Sequence, residues 1–186
     1  MSRFTVSALP LPGLKLVRRQ RRADGRGFLA RLYCAEEFAT LGIALPIAQI
    51  NHTLTSRRGT VRGMHYQRPP HAESKLITCV RGQVWDVAVD LRSGSATQLK
   101  WHAQVLSADD LDALLVPPGF AHGFQALTDD CELIYLHSAP FVPEAEAGLR
   151  PTDPALSIRW PLEIVELSER DQSHPLIAAG FQGILT

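Results

Sequence analysis

"KLITCVRGQVWDVAVDL", Lys75 to Leu91, alternates apolar and polar residues on both sides of an Arg-Gly pair. Period-two alternation over runs this short is the pattern of a half-buried strand. A two-residue Arg81-Gly82 loop predicts a hairpin that sets Val80 opposite Gln83 and Ile77 opposite Asp86. In that register Lys75, Ile77 and Cys79 share a face with Val84, Asp86 and Ala88. Leu76, Val80, Trp85, Val87 and Val89 fill the other face. Lys75 and Asp86 become diagonal neighbours. The second face is the more apolar and is expected against another sheet or a subunit partner. The face carrying a lysine and an aspartate is then expected to line a cavity, with a solvated ion pair as the competing reading.

The same rhythm continues on either side. "GTVRGMHYQ", "LKWHAQVL", "DALLVPPG" and "ELIYLHS" are short strand-like runs divided by Gly, Pro, Asp or Ser, and helical periodicity is absent between them. This predicts an all-β protein, an antiparallel jelly-roll barrel or sandwich with short peripheral helices. One such helix is "CAEEFATLG", Cys34 to Gly42, stopped by its glycine. A length of 186 residues suits one domain over 1–186 with its own core. The irregular, charged segment 161–186, which contains "LSERD", is expected to cover one end of the barrel.

Composition narrows the partners. Nineteen Lys plus Arg balance nineteen Asp plus Glu, so overall charge recruits neither nucleic acid nor an acidic membrane. No window reaches the roughly 18 apolar residues of a membrane span, and the N-terminal basic run follows its apolar part, the reverse of a secretory signal. A cytoplasmic location and a small-molecule partner are expected. Cys34, Cys79 and Cys131 are widely spaced, with no C-x-x-C pair, and read as reduced, buried thiols.

The candidate chemistry lies in "RGMHYQRPPHAESK", Arg62 to Lys75. His65 ends a strand-like run, and the prolines after it cannot continue a central strand. His65 is therefore placed at a rim or cavity mouth. Arg62 and His65 fall on opposite faces of a regular strand, but a bulge at Gly63 could re-aim one of them. A second polar cluster, "VPPGFAHGFQAL", presents His122 after a Pro-Gly turn, and Pro117-x-Gly119-x-x-His122 resembles the second half of the cupin pattern. The usual H-x-H is absent, and His65, His71 and His122 make only a weak case for a metal site.

Taken with "DPALSIRWP" and "LSERD", these runs resemble, in order and spacing, the dTDP-4-dehydrorhamnose 3,5-epimerase family from about Gly25 to Pro175. The resemblance implies a cupin jelly roll, a homodimer, and an active site inside the barrel that uses no metal and no cofactor. The substrate would be a nucleotide-diphosphate keto-sugar whose C4 carbonyl acidifies the hydrogens on C3 and C5. By the same resemblance His65 is the base, oriented by Asp171; Lys75 stabilises the enolate; and Tyr135 is the acid on the opposite face. A nearby cation is expected to make that phenol a better donor. Asp86 and His122 would line the cavity. Arg62 would hold the diphosphate and Gln49 and Asn51 the nucleotide. Arg26 and Phe28 would reach in from the partner subunit as part of an N-terminal arm within residues 1–48. Two positions depart from the family pattern: Arg31 stands where an acid is common, and Pro140 where an aromatic is, with Phe141 beside it to restore part of the stacking. The rival readings are an epimerase acting on C3 or C5 alone and a non-catalytic sugar-nucleotide-binding cupin.

Overall fold

The computed structural model describes residues 2–185. Among these, thirteen strands follow one another: β1 (Phe4–Ala8), β2 (Lys15–Arg19), β3 (Arg21–Asp24), β4 (Gly27–Ala30), β5 (Gln49–Thr55), β6 (Val61–Gln67), β7 (Lys75–Arg81), β8 (Gln83–Asp90), β9 (Trp101–Ser107), β10 (Ala113–Val116), β11 (Phe120–Ala126), β12 (Cys131–His137) and β13 (Glu146–Gly148). Helix α1 (Ala35–Thr40) lies between β4 and β5, and α2 (Glu169–Ser173) follows the last strand. Gly42, just past α1, takes φ +69°, as the glycine stop requires. No helix among the described residues is long and apolar enough to cross a membrane.

Two antiparallel sheets face each other. One runs β1-β2-β10-β7-β12-β5 and the other β13-β6-β11-β8-β9, while β3 and β4 form a separate hairpin. The all-β, cupin-like expectation holds. The hairpin expectation does not: β7 pairs with β10 and β12, and β8 with β11 and β9. Gly82, at φ +74°, is a corner at which the chain leaves one sheet for the other. A glycine between two period-two runs has the same signature whether the strands pair or part. Lys75 and Asp86 therefore lie on facing sheets rather than diagonally across one hairpin.

The assignment of faces survives this correction. Ile77, Cys79, Val84 and Ala88 meet inside the barrel with Leu14, Leu114, Phe120, Phe124 and Leu133. The more apolar faces point outward, against the chain's own peripheral segments rather than another sheet. Leu76 packs with Phe38 of α1, Phe4 and Ile43. Val87 and Val89 pack with Leu149, Leu156, Trp160, Ile177 and Phe181. Each fully buried Leu, Val or Phe contributes about 1.5–3 kcal/mol, so both coverings stabilise the barrel. All three cysteines are free, and burial pushes the Cys79 thiol up to about 12, which makes it inert.

Candidate active site

The apolar filling stops short of one part of the barrel, leaving a cavity of about 630 Å³. Period-two alternation decides what enters it. From the six-stranded sheet, Gln49, Asn51 and Thr53 project from β5, Lys75 from β7, and Tyr135 and His137 from β12. The facing sheet supplies Arg62, His65 and Gln67 from β6 and His122 and Phe124 from β11.

Arg62 and His65 reach the same cavity because β6 carries an extra residue. His65 pairs with His122 and Arg62 with Phe124, so three steps on β6 match two on β11. Gly63 makes this possible: it sits at φ +137°, and a Cβ there would lie 2.5 Å from the Cα of Gly123. The bulge anticipated at Gly63 is present.

On this wall His65 Nε2 lies 2.7 Å from Asp171 Oδ1. Asp171 is 3% exposed and sits in the first turn of α2, where its amide donates to the Ser168 cap at 3.1 Å. Its second oxygen accepts from Gly63 N at 3.2 Å. Burial alone would raise this carboxyl, but the bonds from His65, Gly63 and Ser168 outweigh it and hold the group below its ordinary value. The pairing occupies Nε2 and leaves Nδ1 as the nitrogen free to take a proton.

Tyr135 stands on the facing wall, its ring between His122, edge-on at 6.0 Å, and His137, stacked at 6.0 Å and 22°. Part of the residue reaches the cavity, yet desolvation, then the charge of Asp86, push its phenol well above the usual range; Arg62 opposes them without prevailing. The expected cation effect is thus overruled. Desolvation and the Asp86 charge both favour the protonated phenol.

Lys75 is 9% exposed. Its ammonium donates to His65 O at 3.2 Å and lies 3.4 Å from Glu73 Oε1. Desolvation pulls its pKa below the usual lysine value, with Glu73 and Asp86 resisting. Asp86 is set behind the lining, fully buried, and its oxygens lie 2.8 and 2.9 Å from His122 Nε2. Burial raises this carboxyl, against the opposing pull of His122 and Lys75.

Glu73 and His137 were not singled out from the sequence. His137 Nδ1 lies 2.9 Å from Glu73 Oε2, and Asn51 Nδ2 is 3.4 Å from His137 Nε2. Alternation could have found His137, two residues from Tyr135 on β12, but Glu73 precedes β7 and is reached by no strand period. His71 is exposed and does not line the cavity, so the trio His65, His71 and His122 is not assembled. Arg26 and Phe28 are also outside this chain's cavity. They lie on the exposed β3–β4 hairpin, Arg26 paired with Asp24 and Phe28 under the guanidinium of Arg21 at 4.4 Å. Of the departures, Arg31 is paired with Glu37 on α1, away from the cavity. Phe141 lines the cavity, its amide donating to Gln49 Oε1 at 2.9 Å, and the Pro140 carbonyl accepts from Gln67 at 3.2 Å.

Comparison with known proteins agrees over nearly the whole chain. Residues 8–179 match the family described as dTDP-4-dehydrorhamnose 3,5-epimerase. A Sinorhizobium fredii protein of that name is 40% identical over 169 residues, covering 90% of this chain and 87% of its own. A Streptomyces niveus protein named dTDP-4-dehydrorhamnose 3-epimerase is also 40% identical, over 91% of this chain and 82% of its own. The crystal structure of the Bacillus anthracis dTDP-4-dehydrorhamnose 3,5-epimerase, solved with TDP and PPi bound, superposes with a TM-score of 0.91 at 35% identity, covering 94% of this chain and 99% of that one.

Proposed function

The chain belongs to the dTDP-4-dehydrorhamnose 3,5-epimerase family, and from that premise we propose that this isomerase inverts C3 and C5 of dTDP-4-keto-6-deoxyglucose. The observation that carries the reading is the placement of an Asp-held imidazole and a protonated phenol on facing walls, with a buried ammonium beside them.

Inversion needs a base on one face of the sugar ring and an acid on the other. His65 takes the proton from the carbon next to the carbonyl through Nδ1. Asp171 fixes the tautomer and stabilises the imidazolium. The electron pair left behind moves onto the C4 oxygen, where Lys75 meets the new negative charge; in so dry a wall that interaction is far stronger than in water. Tyr135 then returns a proton to the opposite face of the same carbon. Each inversion ends with His65 charged and Tyr135 ionised, and exchange with solvent resets both. The 4-keto group supplies the acidity, so the steps call on no cofactor.

Arg62 at the mouth suits the diphosphate, and Gln49, Asn51 and Phe141 suit the nucleoside. A homodimer is supported by exposed apolar side chains, Phe28 and Leu29 on the β3–β4 hairpin and Ile50 and Leu54 on the edge strand β5, at 48–65% exposure. In that dimer the hairpin, part of the arm within residues 1–48, brings Arg26 and Phe28 to the partner's nucleotide site. The chain works as a single domain in the cytoplasm, in deoxysugar synthesis of the kind that feeds rhamnose-containing O-antigens.

Solvent deuterium exchange on dTDP-4-keto-6-deoxyglucose, followed by proton NMR, tests the reaction. Signals at both C3 and C5 should fade. Loss at one carbon alone assigns the narrower activity of a 3- or 5-epimerase, and no loss at either leaves only a binding protein. Tyr135→Phe should continue to wash out protons while inversion falls; undiminished inversion would remove Tyr135 from the acid role.

A further inference from the structure

His174 follows α2 directly and takes no part in the reaction just described. Its ring stands edge-on to His65, centroids 6.2 Å apart at 70°. Its Nε2 is shielded from solvent and has no hydrogen-bond partner among the described residues. The ring is seated against Gly148, where any Cβ would collide with it. Donor atoms of His65, Asp171 and His174 all lie within 4.8 Å of one another. Two imidazoles and a carboxylate are a donor set that zinc accepts readily, with water completing a tetrahedron. Two cations lie near, Arg170 paired with Glu146 at 2.6 Å and Arg150 donating to His174 O at 3.1 Å, and Glu146 and Asp171 match them in number.

We propose that His65, Asp171 and His174 form an inhibitory site for zinc or a similarly borderline divalent ion, occupied at the expense of the base. Binding puts the metal on His65 Nε2 in place of the proton, which moves through solvent to Nδ1, so the ring stays neutral. Asp171 changes from hydrogen-bond acceptor to ligand. Nδ1 of the metal-bound imidazole then carries the ring's single proton and has no lone pair left to take another from the sugar. Zinc here therefore silences the enzyme. The site itself stands on geometry; its consequence rests on His65 being the base.

The test uses full-length protein stripped with chelator and dialysed. ZnCl₂ is titrated calorimetrically and, in parallel, against deuterium exchange on the keto-sugar. Wild type should bind one zinc per chain and lose at least about tenfold of its exchange rate at saturation, as suits loss of a general base, with chelator restoring it. His174→Ala and His174→Asn should keep exchange close to wild type without zinc and lose both the binding heat and the inhibition. Inhibition unchanged in both variants, no zinc bound by wild type, or zinc bound with exchange undiminished would each overturn the proposal. Metal-free wild type that exchanges no deuterium would instead count against the epimerase reading, and this is seen before any zinc is added.

Discussion

Asp86 and Asp90 stand on the same face of β8, four residues apart and both fully buried, yet one carboxyl is pushed above its ordinary range and the other held at about 2. Their partners account for the difference. Asp90 accepts from the Arg92 amide at 3.0 Å, from its guanidinium at 2.9 and 2.8 Å, and from the hydroxyls of Ser95 and Thr97, both at 2.6 Å. Among the described residues Asp86 has His122 alone within hydrogen-bonding distance. Burial raises both carboxyls; five donors reverse the effect and one imidazole does not. A fully partnered charge ties down a loop corner. A charge left short of partners sits beside the cavity, where Lys75 and Tyr135 are likewise displaced from their solution values.

If that contrast separates chemistry from architecture, substitutions on the cavity side should cost rate and those on the Asp90 side stability. His65→Ala should show the largest effect, a fall of about 10²–10⁴-fold in exchange at both carbons with nucleotide binding nearly intact. Near wild-type exchange would break the comparison at its base. Lys75→Met should lower turnover by about 10²–10³-fold and affinity far less, since the ammonium interacts most strongly with the enolate. Because its pKa is depressed, the lysine loses its charge as pH rises through a value below the ordinary 10.5. Wild-type turnover should fall over that alkaline range, and a Lys75→Met profile retaining the same fall would assign it to another group.

On the other side, Asp90→Asn should destabilise the fold by about 2–3 kcal/mol, because donors evolved for a carboxylate lose their acceptor. Thermal unfolding measures this, and the folded fraction should keep wild-type turnover. With a folded value of about 2 against an ordinary 3.8, Asp90 contributes stability that is present above about pH 4 and lost as pH falls through about 2. The variant should lack that component of acid unfolding. Asp86→Asn is expected to have the smallest stability effect, no more than about 1 kcal/mol, since an amide oxygen still accepts from His122 Nε2 while the cost of a buried charge disappears. Large destabilisation there would place Asp86 with Asp90 as an architectural group.

Much of this was legible in the sequence where alternation was strict. The runs around β6 to β12 gave the strands, Lys75 to Leu91 gave its own two faces, and Gly63 in "RGMHYQ" left room for the bulge, while most cavity-lining side chains came from the family resemblance. Sheet membership was not legible, because Gly82 serves a corner as well as a hairpin and only the distant partners β10 and β11 decide between them. The first third of the chain also resisted division into strands: β3 and β4 are fully or largely exposed and carry no buried face to set a period. His137 lay two residues from Tyr135 on a strand whose faces had not been assigned, and Glu73 lay just ahead of β7, beyond the reach of its alternation. His174 was different, since its nearness to His65 depends on a close approach to Gly148 that no local pattern announces.

Asp171 reaches His65 from far along the chain. Every barrel strand among the described residues is complete by Gly148, and the carboxylate paired with the His65 imidazole follows 23 residues later. On the proposed reading the imidazole is therefore aimed by a covering segment docked on the finished sheets, so loosening α2 should disarm the base while the barrel stays folded.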